Sequence, residues 1–282
     1  MTRQFNRDVV LIIARPRDFS SQLPNATIIR NIRFSFSIEK QLGKEPNKGD
    51  LVIYNLAGET RAEFEQRPLH VRLDVGYDGD LQRLFTGDVR YAESMLVETE
   101  WETKVQLGDG DRAFRFARVS KSYKSGVTSR QALSELAKAM NLQVPKNTQE
   151  FAELDKEFHG GLSLHGQAST ELTKILERHN LQWSIQDGRL QILRKGDTRS
   201  DRAILISLDE GMIGSPEFGS PPEKGKPPKL TVTTLIRPEI IPGGMIEVRS
   251  RNVNGLFKVE RVVHSGDIEG DDWMSSIEAV AK

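Results

Sequence analysis

Five histidines, forty Asp and Glu side chains and no cysteine make up the reactive inventory of this 282-residue chain. Without a thiol there is no cysteine nucleophile, no disulfide and no Cys-ligated zinc or iron–sulfur centre. The histidines His70, His159, His165, His179 and His264 are spread over the whole sequence. His159 and His165 stand six apart in His-Gly-Gly-Leu-Ser-Leu-His, which is not the i, i+4 spacing that sets two imidazoles on one helix face. That spacing favours one loop and one strand histidine over a metal pair. Gly108 to Asp111 and Gly266 to Asp272 suggest calcium loops at first sight, yet neither supplies both alternating oxygen ligands and a glutamate at position twelve. Solvated turns are the expectation. Gly-x-Ser-x-Gly, a Walker A loop and a Gly-x-Gly-x-x-Gly after a strand are all missing from the sequence. The carboxylates leave an acid–base pair open, but nothing singles out two of them. Lys121 to Lys124, with Tyr123 interleaved, offers either a phosphate contact or, as expected here, a solvated loop before a helix.

Composition narrows the classes further. Forty Lys plus Arg balance the forty acids, so the net charge is zero. A protein that coats nucleic acid or an anionic membrane needs surplus cations to neutralise phosphates. At 37% apolar residues and a mean hydropathy of −0.48, the chain is poor in core material for a self-contained enzyme but too well patterned for disorder. Burial completed against partners fits that balance. The most apolar stretch near the N-terminus, Val9 to Ala14 between Asp8 and Arg15, is shorter than the roughly 7–15 residues of a signal-peptide core or the ~20 of a membrane span. It predicts a first strand, no membrane-spanning segment, and a chain made and kept in the cytoplasm.

Three regions must position whatever the chain does. Residues 1–118 predict antiparallel strands: Ile32, Phe34, Phe36 and Ile38 alternate with polar residues, Leu51 to Asn55 follow, and Val71, Leu73 and Val75 lead through Gly76 to Asp80 into Leu84 and Phe85. Further strands are predicted at Val89 to Met95 and Trp101 to Leu107, with one short helix over Gly58 to Gln66. Residues 119–195 change period. Thr128 and Gln131 form a capping-box pattern ahead of a stripe of Ala132, Leu133, Leu136, Ala137 and Met140. Ser169 is the expected cap of a second helix carrying Leu172, Ile175 and Leu176. Asp187-Gly188 between Leu181, Trp183, Ile185 and Leu190, Ile192 predicts a hairpin. Residues 196–282 return to β, with strands expected at Leu230 to Leu235, Ile246 to Val248, Leu256 to Val259 and Ile277 to Ala281. Five prolines between Ser215 and Pro228 predict a loop or extended excursion there. The two β regions share a weak strand–turn–strand echo that leaves duplication open.

Several strings taken together resemble a known family. Ile53-Tyr54-Asn55-Leu56 with Thr60-Arg61, Leu73 to Tyr77 (Leu-Asp-Val-Gly-Tyr), Leu84-Phe85-Thr86-Gly87-Asp88 and Gly108-Asp109-Gly110-Asp111 resemble the tail (baseplate) hub proteins of bacteriophages, which include the late control D proteins. The C-terminal third is similar through Leu235, Arg237, Pro238, Ile241-Pro242-Gly243, Gly255-Leu256-Phe257-Lys258-Val259 and His264 to Asp267, closing on Trp273. Gly160-Gly161 through Trp183 to Leu190 fits that family's small insert. The weight of the resemblance lies in order and spacing, and the N-terminal string is its most specific part.

The resemblance implies a mainly β fold: two tail-tube-like antiparallel β-barrel domains, 1–118 and 196–282, the second able to pack with strands of the first, around a small α+β module at 119–195. It implies structural roles for Ile53, Asn55, Leu56, Thr60, Arg61, Gly76, Tyr77, Phe85, Gly87, Asp109, Pro242, Gly243, Gly255 and Trp273. It further implies a homotrimer at the tail tip or baseplate of a virion, assembled in the host cytoplasm. Such a trimer adapts the sixfold tail tube protein to the threefold central spike protein, meets other baseplate proteins and lines the channel for DNA. Neither enzymatic activity nor a cofactor is expected. The alternatives are a tail-associated cell-wall hydrolase, or another tube or baseplate protein built on the same barrel.

Overall fold

The computed structural model describes residues 6–15, 26–43, 45–65, 69–200, 202–219 and 228–282. In chain order come strands β1 (Arg7–Ala14), β2 (Thr27–Ile29), β3 (Phe34–Gln41) and β4 (Lys48–Tyr54), helix α1 (Gly58–Glu65), then β5 (His70–Tyr77), β6 (Asp80–Val97) and β7 (Glu100–Gly108). A mixed stretch follows: α2 (Asp111–Arg115), β8 (Arg118–Tyr123), β9 (Val127–Thr128), α3 (Ser129–Ala139), β10 (Glu157–Phe158), β11 (Leu162–Gln167), α4 (Ala168–Glu177), β12 (Leu181–Gln186) and β13 (Arg189–Arg194). The last strands are β14 (Ala203–Ile206), β15 (Met212–Phe218), β16 (Leu230–Leu235), β17 (Met245–Arg249), β18 (Asn254–Asp267) and β19 (Trp273–Ala281). The fold is mainly β with an α+β insert.

The chain divides into two compact units. The first takes residues 1–41, 47–108 and 198–282; the second takes 42–46 and 109–197. Among the described residues of the first unit, thirteen strands share one sheet in the order β15-β16-β19-β18-β3-β4-β7-β6-β5-β1-β2, with β17 on β18 and β14 on β17. All neighbours are antiparallel except β14 and β17. The seam between the two ends of the chain is β3 on β18, in register from Arg261 opposite Gln41 to Asp267 opposite Ser35. One apolar cluster lies over β1 to β7, where Phe34, Phe36, Ile38, Leu51, Ile53, Leu73 and Phe85 point inward at alternate positions and Ile236 and Trp273 join from the C-terminal part. A second gathers Ile206, Leu230, Val232, Ile246, Val248, Phe257, Val262 and Ile277. Two cores thus hang on one sheet.

Several strands differ from the sequence expectation. Leu84 to Gly87 and Val89 to Met95 belong to a single 18-residue strand, β6, which pairs with β5 through its first half and with β7 through its second. A register shift between Val89 and Tyr91 accommodates the change of partner. The expected loop from Ser215 begins later, because Pro216 sits inside β15. That strand ends the pairing order, and its register with β16 shifts between Ile213 and Glu217, where a residue without an N–H is tolerated. Pro221, Pro222 and Pro227 fall outside the described residues, as does Gln66 at the end of the expected helix.

The second unit is legible in its caps and turns. Thr128 accepts from the Gln131 backbone N–H while the Gln131 side chain accepts from the Thr128 N–H, the reciprocal box read from the sequence. Asp187 and Gly188 both have positive φ, 53° and 75°, and close the β12–β13 hairpin. Two expectations are corrected. Ser169 lies within α4 rather than capping it, and its hydroxyl donates to the Phe114 carbonyl, so the helix starts after Gln167 without a side-chain cap. Lys121 is on strand β8, not in a solvated loop, and pairs with Glu135 at 2.7 Å.

Gly76 and His264 expose the tight spots of the sheet. The glycine and acidic residues from Gly76 to Asp80 predict a turn, but Gly76 itself lies in β5, and a Cβ there would stand 1.9 Å from the Asp80 carbonyl oxygen. Its need is space rather than an unusual φ. Gly76→Val should therefore lower the urea midpoint by the equivalent of at least about 1–3 kcal/mol, or prevent soluble expression. An unchanged midpoint would remove the steric argument. His264 is fully buried, with Nδ1 2.8 Å from the Ser275 hydroxyl and the buried Lys40 nearby. Burial first, and then the Lys40 charge, lower its pKa to about 3. A depressed histidine gives stability that is complete above the unfolded pKa near 6.5 and is lost as pH falls toward 3, at up to about 1.4 kcal/mol per pH unit. Urea unfolding between pH 7.5 and 5 should show such a fall, ahead of any carboxylate titration, and His264→Gln should reduce it.

Candidate functional site

The residues of the motif strings do not converge on one cleft. They form separate locks on the sheet and the insert, and the first lock fixes an exposed hairpin. After Ile53, buried in β4, the chain turns through Asn55 at φ 53°. Asn55 donates its backbone N–H to the Trp101 carbonyl at 2.7 Å, and its side-chain oxygen accepts the Trp101 N–H at 3.1 Å. Its amide nitrogen also donates to Glu100 at 3.0 Å. Leu56 then enters the core, and the Leu56 carbonyl accepts from Arg61 Nη1 at 2.6 Å. The Arg61 guanidinium lies 3.9 Å from the centroid of the Trp101 ring, a cation–π contact. Asn55 and Arg61 together pin the start of β7. Thr60, half-buried in α1, makes no recorded contact that explains its place in the string.

Beyond that pin, the far end of the β6–β7 hairpin stands in solvent. Met95, Leu96 and Val97 are exposed, with Leu96 opposite Trp101 in the register. No Lys or Arg occurs between Glu93 and Glu102, a stretch holding four glutamates. The turn itself is polar, Glu98 at φ 55° followed by Thr99, and the exposed apolar side chains precede it on β6.

The second lock joins the two ends of the chain. Trp273, 2% exposed, meets Phe36 and Tyr77 edge-on, with centroids 5.7 and 6.2 Å away, and Arg7 lies over its ring at 5.4 Å. Burial raises the Tyr77 phenol above its ordinary pKa. Gly266 lies between Phe36 and Trp273 in the register, where a Cβ would stand 2.4 Å from the Phe36 ring. Asp267 then receives Arg33 Nη2 at 2.9 Å, and that hydrogen bond holds its carboxyl below the usual carboxylate range. Phe85 fills the core from β6, and Gly87 approaches the Gly108 carbonyl so closely that a Cβ would lie 2.8 Å from it.

The Gly-Asp strings are locks as well, not calcium loops. The fully buried Asp109 accepts the backbone N–H groups of Asp187 at 2.6 Å and Gly188 at 2.8 Å, so its carboxylate holds the β12–β13 turn. Gly110, at φ 68°, faces Ile185, and a side chain there would be doubly excluded. In the C-terminal part, Gly243 follows Pro242 at φ 84° and donates to the Val259 carbonyl, while its own carbonyl accepts the Arg199 N–H. Gly255 belongs to β18 opposite Val248.

Sequence reasoning missed a Ser–His contact. Ser129 Oγ and His179 Nε2 are 2.8 Å apart in the second unit, and burial lowers the His179 pKa. Fifty residues of separation hid the pair, and Ser129 is 1% exposed at the start of α3, closed to any substrate. Among the described residues, no group of three or more His, Asp or Glu is placed to hold a metal ion.

No protein-family model matches the chain, and no curated protein matches it in sequence. Solved structures do match. The 43 kDa tail protein of prophage MuSo2 from Shewanella oneidensis is similar over 98% of this chain and 97% of its own, with a TM-score of 0.65 at 11% identity. A tail protein from Neisseria meningitidis matches over 99% and 97%, with a TM-score of 0.62 at 12% identity. An Escherichia coli component of the type VI secretion system, described as structurally similar to the T4 bacteriophage tail proteins gp27 and gp5, matches over 89% and 74%, with a TM-score of 0.58 at 12% identity. The fold of this chain is thus shared, over nearly its whole length, with two solved tail proteins.

The Asn55 pin carries a testable expectation. Asn55→Ala removes the side-chain bonds and places an alanine in the left-handed region, and should cost about 1–2 kcal/mol. Amide exchange at Trp101 should quicken first. Asn55→Gly should keep the turn and lose only the side-chain part. Unchanged Trp101 protection in both variants would show that the hairpin is held by other means.

Proposed function

We propose that the chain is a structural subunit of a phage tail tip, a baseplate hub that joins the tail tube to the central spike. The observation that carries this reading is the match of fold over nearly the whole length of two tail proteins, in a chain that bears the hub-like strings in order. In this reading three copies form a ring whose two β regions per chain offer six similar faces to the tube and a threefold socket to the spike, with DNA passing through the lumen. Two apolar cores on one sheet support the idea of two tube-like domains. Open ladder edges support assembly: among the described residues, β2 and β15 pair on one side only, and such edges invite a neighbouring chain.

The hydrolase alternative draws little support from the geometry. Ser129 of the Ser–His contact is buried in the insert, and Arg61 and Asp109, the charged residues among the motif positions, are both engaged in locks. A tube or other baseplate protein remains the nearest structural rival, and oligomeric state separates the two. Sedimentation of the purified chain should give a species of three times the 31.8 kDa chain mass, and class averages should show a threefold ring. A monomer at the highest soluble concentration, with no binding to tube or spike protein, would overturn the hub reading.

A further inference from the structure

We propose that the acidic tip of the β6–β7 hairpin of one copy docks on an arginine-rimmed patch around Phe116 of a second copy. The inference rests on the oligomeric reading above and assigns that assembly a specific contact. Phe116 is 71% exposed, beyond any other exposed large apolar side chain among the described residues. It stands in Asp-Arg-Ala-Phe-Arg-Phe-Ala-Arg, so Arg112, Arg115 and Arg118 surround it in sequence, and all three are exposed. Asp111, buried beneath, orients Arg115 through a 2.9 Å ion pair, and Arg118 Nη1 donates to the Arg115 carbonyl at 2.8 Å. These contacts use few of the donors that a guanidinium offers, and leave planar forks held in place for carboxylates.

The hairpin tip has the complementary chemistry. Glu93, which accepts the Tyr91 hydroxyl at 2.9 Å, and Glu98 are exposed; Met95 and Val97 lie on the same face of the hairpin as Glu93, and Leu96, 58% exposed, lies on the other with Trp101 across from it. Both surfaces set exposed apolar side chains among charges of mainly one sign, Lys104 opposite Glu93 and the buried Asp111 being the exceptions, and the prevailing signs are opposite, in a chain whose net charge is zero. Complementary potentials of this kind steer association and fix its register. Two different patches that meet between copies make a heterologous contact, which closes into a ring when the rotation per copy allows.

Charge reversal in the full chain tests the contact. Glu93→Lys with Glu98→Lys, or Arg112→Glu with Arg118→Glu, should raise the concentration of half-assembly by about tenfold or more, with unchanged circular dichroism. All four substitutions together should restore it. Because the chain has no cysteine, a second readout is available. Glu98→Cys chains mixed with Phe116→Cys chains should oxidise to the mixed covalent dimer in preference to either homodimer. If the wild-type chain assembles and either reversal variant assembles equally well, or the cysteine chains yield no mixed dimer, this contact is overturned and the hub reading stands. A wild-type chain that never associates overturns both.

Discussion

Everything in the first unit depends on the pairing of β3 with β18. Seven consecutive residue pairs, from Gln41 with Arg261 to Ser35 with Asp267, bring together segments more than two hundred residues apart in sequence. Without that ladder the chain would hold two separate β regions, each with an open edge and a thin core. With it, Trp273 can reach Phe36 and Tyr77, and Asp267 can reach Arg33. Closing so long a loop costs only slightly more entropy than closing a short one, because the cost grows with the logarithm of length. What it requires is a dense reward at the point of closure. The buried Trp273, the bare Gly266 and the Arg33–Asp267 pair supply it.

The same logic explains where polar groups are buried. Lys40 and His264 lie in the seam strands, and the Nδ1 of His264 is matched to Ser275 on β19. Buried polar groups cost stability unless they are partnered, but they also penalise a slipped register, since a one-residue shift would turn them to the other face. A sheet of thirteen strands needs such markers. The insert uses a local device instead: one buried carboxylate, Asp109, holds the turn of a hairpin 78 residues downstream. The exposed hairpin tip and the Phe116 patch stand outside both devices.

Local chemistry was legible in the sequence, and long-range pairing was not. The Thr128–Gln131 box, the Asp187-Gly188 turn and the alternation of Phe34, Phe36 and Ile38 each depend on neighbours within a few residues, and each stands as the pattern predicts. The mainly β fold with an α+β insert follows from the same periodicities, and Asn55, Arg61, Asp109 and Trp273 each hold hydrogen bonds or ring contacts to distant parts of the chain. Partner choice was hidden. Nothing local tells that β6 continues through Gly87 and changes partner halfway, or that β14 runs parallel to β17. Ser169 follows the preference of serine for helix starts, yet the Phe114 carbonyl offered it a better bond inside the helix. Pro216 follows the rule against central strands and sits on an edge.

The central claim is that one cooperative sheet is welded from both ends of the chain. Native-state amide exchange measures this directly, strand by strand. The account predicts that amides of Ile38 and Lys40 in β3 and of Val262 and His264 in β18 exchange only through global unfolding of the first unit, with one shared free energy. If the amides from β14 to β19 instead open as a block, at a lower free energy than those from β1 to β7, the two ends are independent domains and the seam is not what holds them.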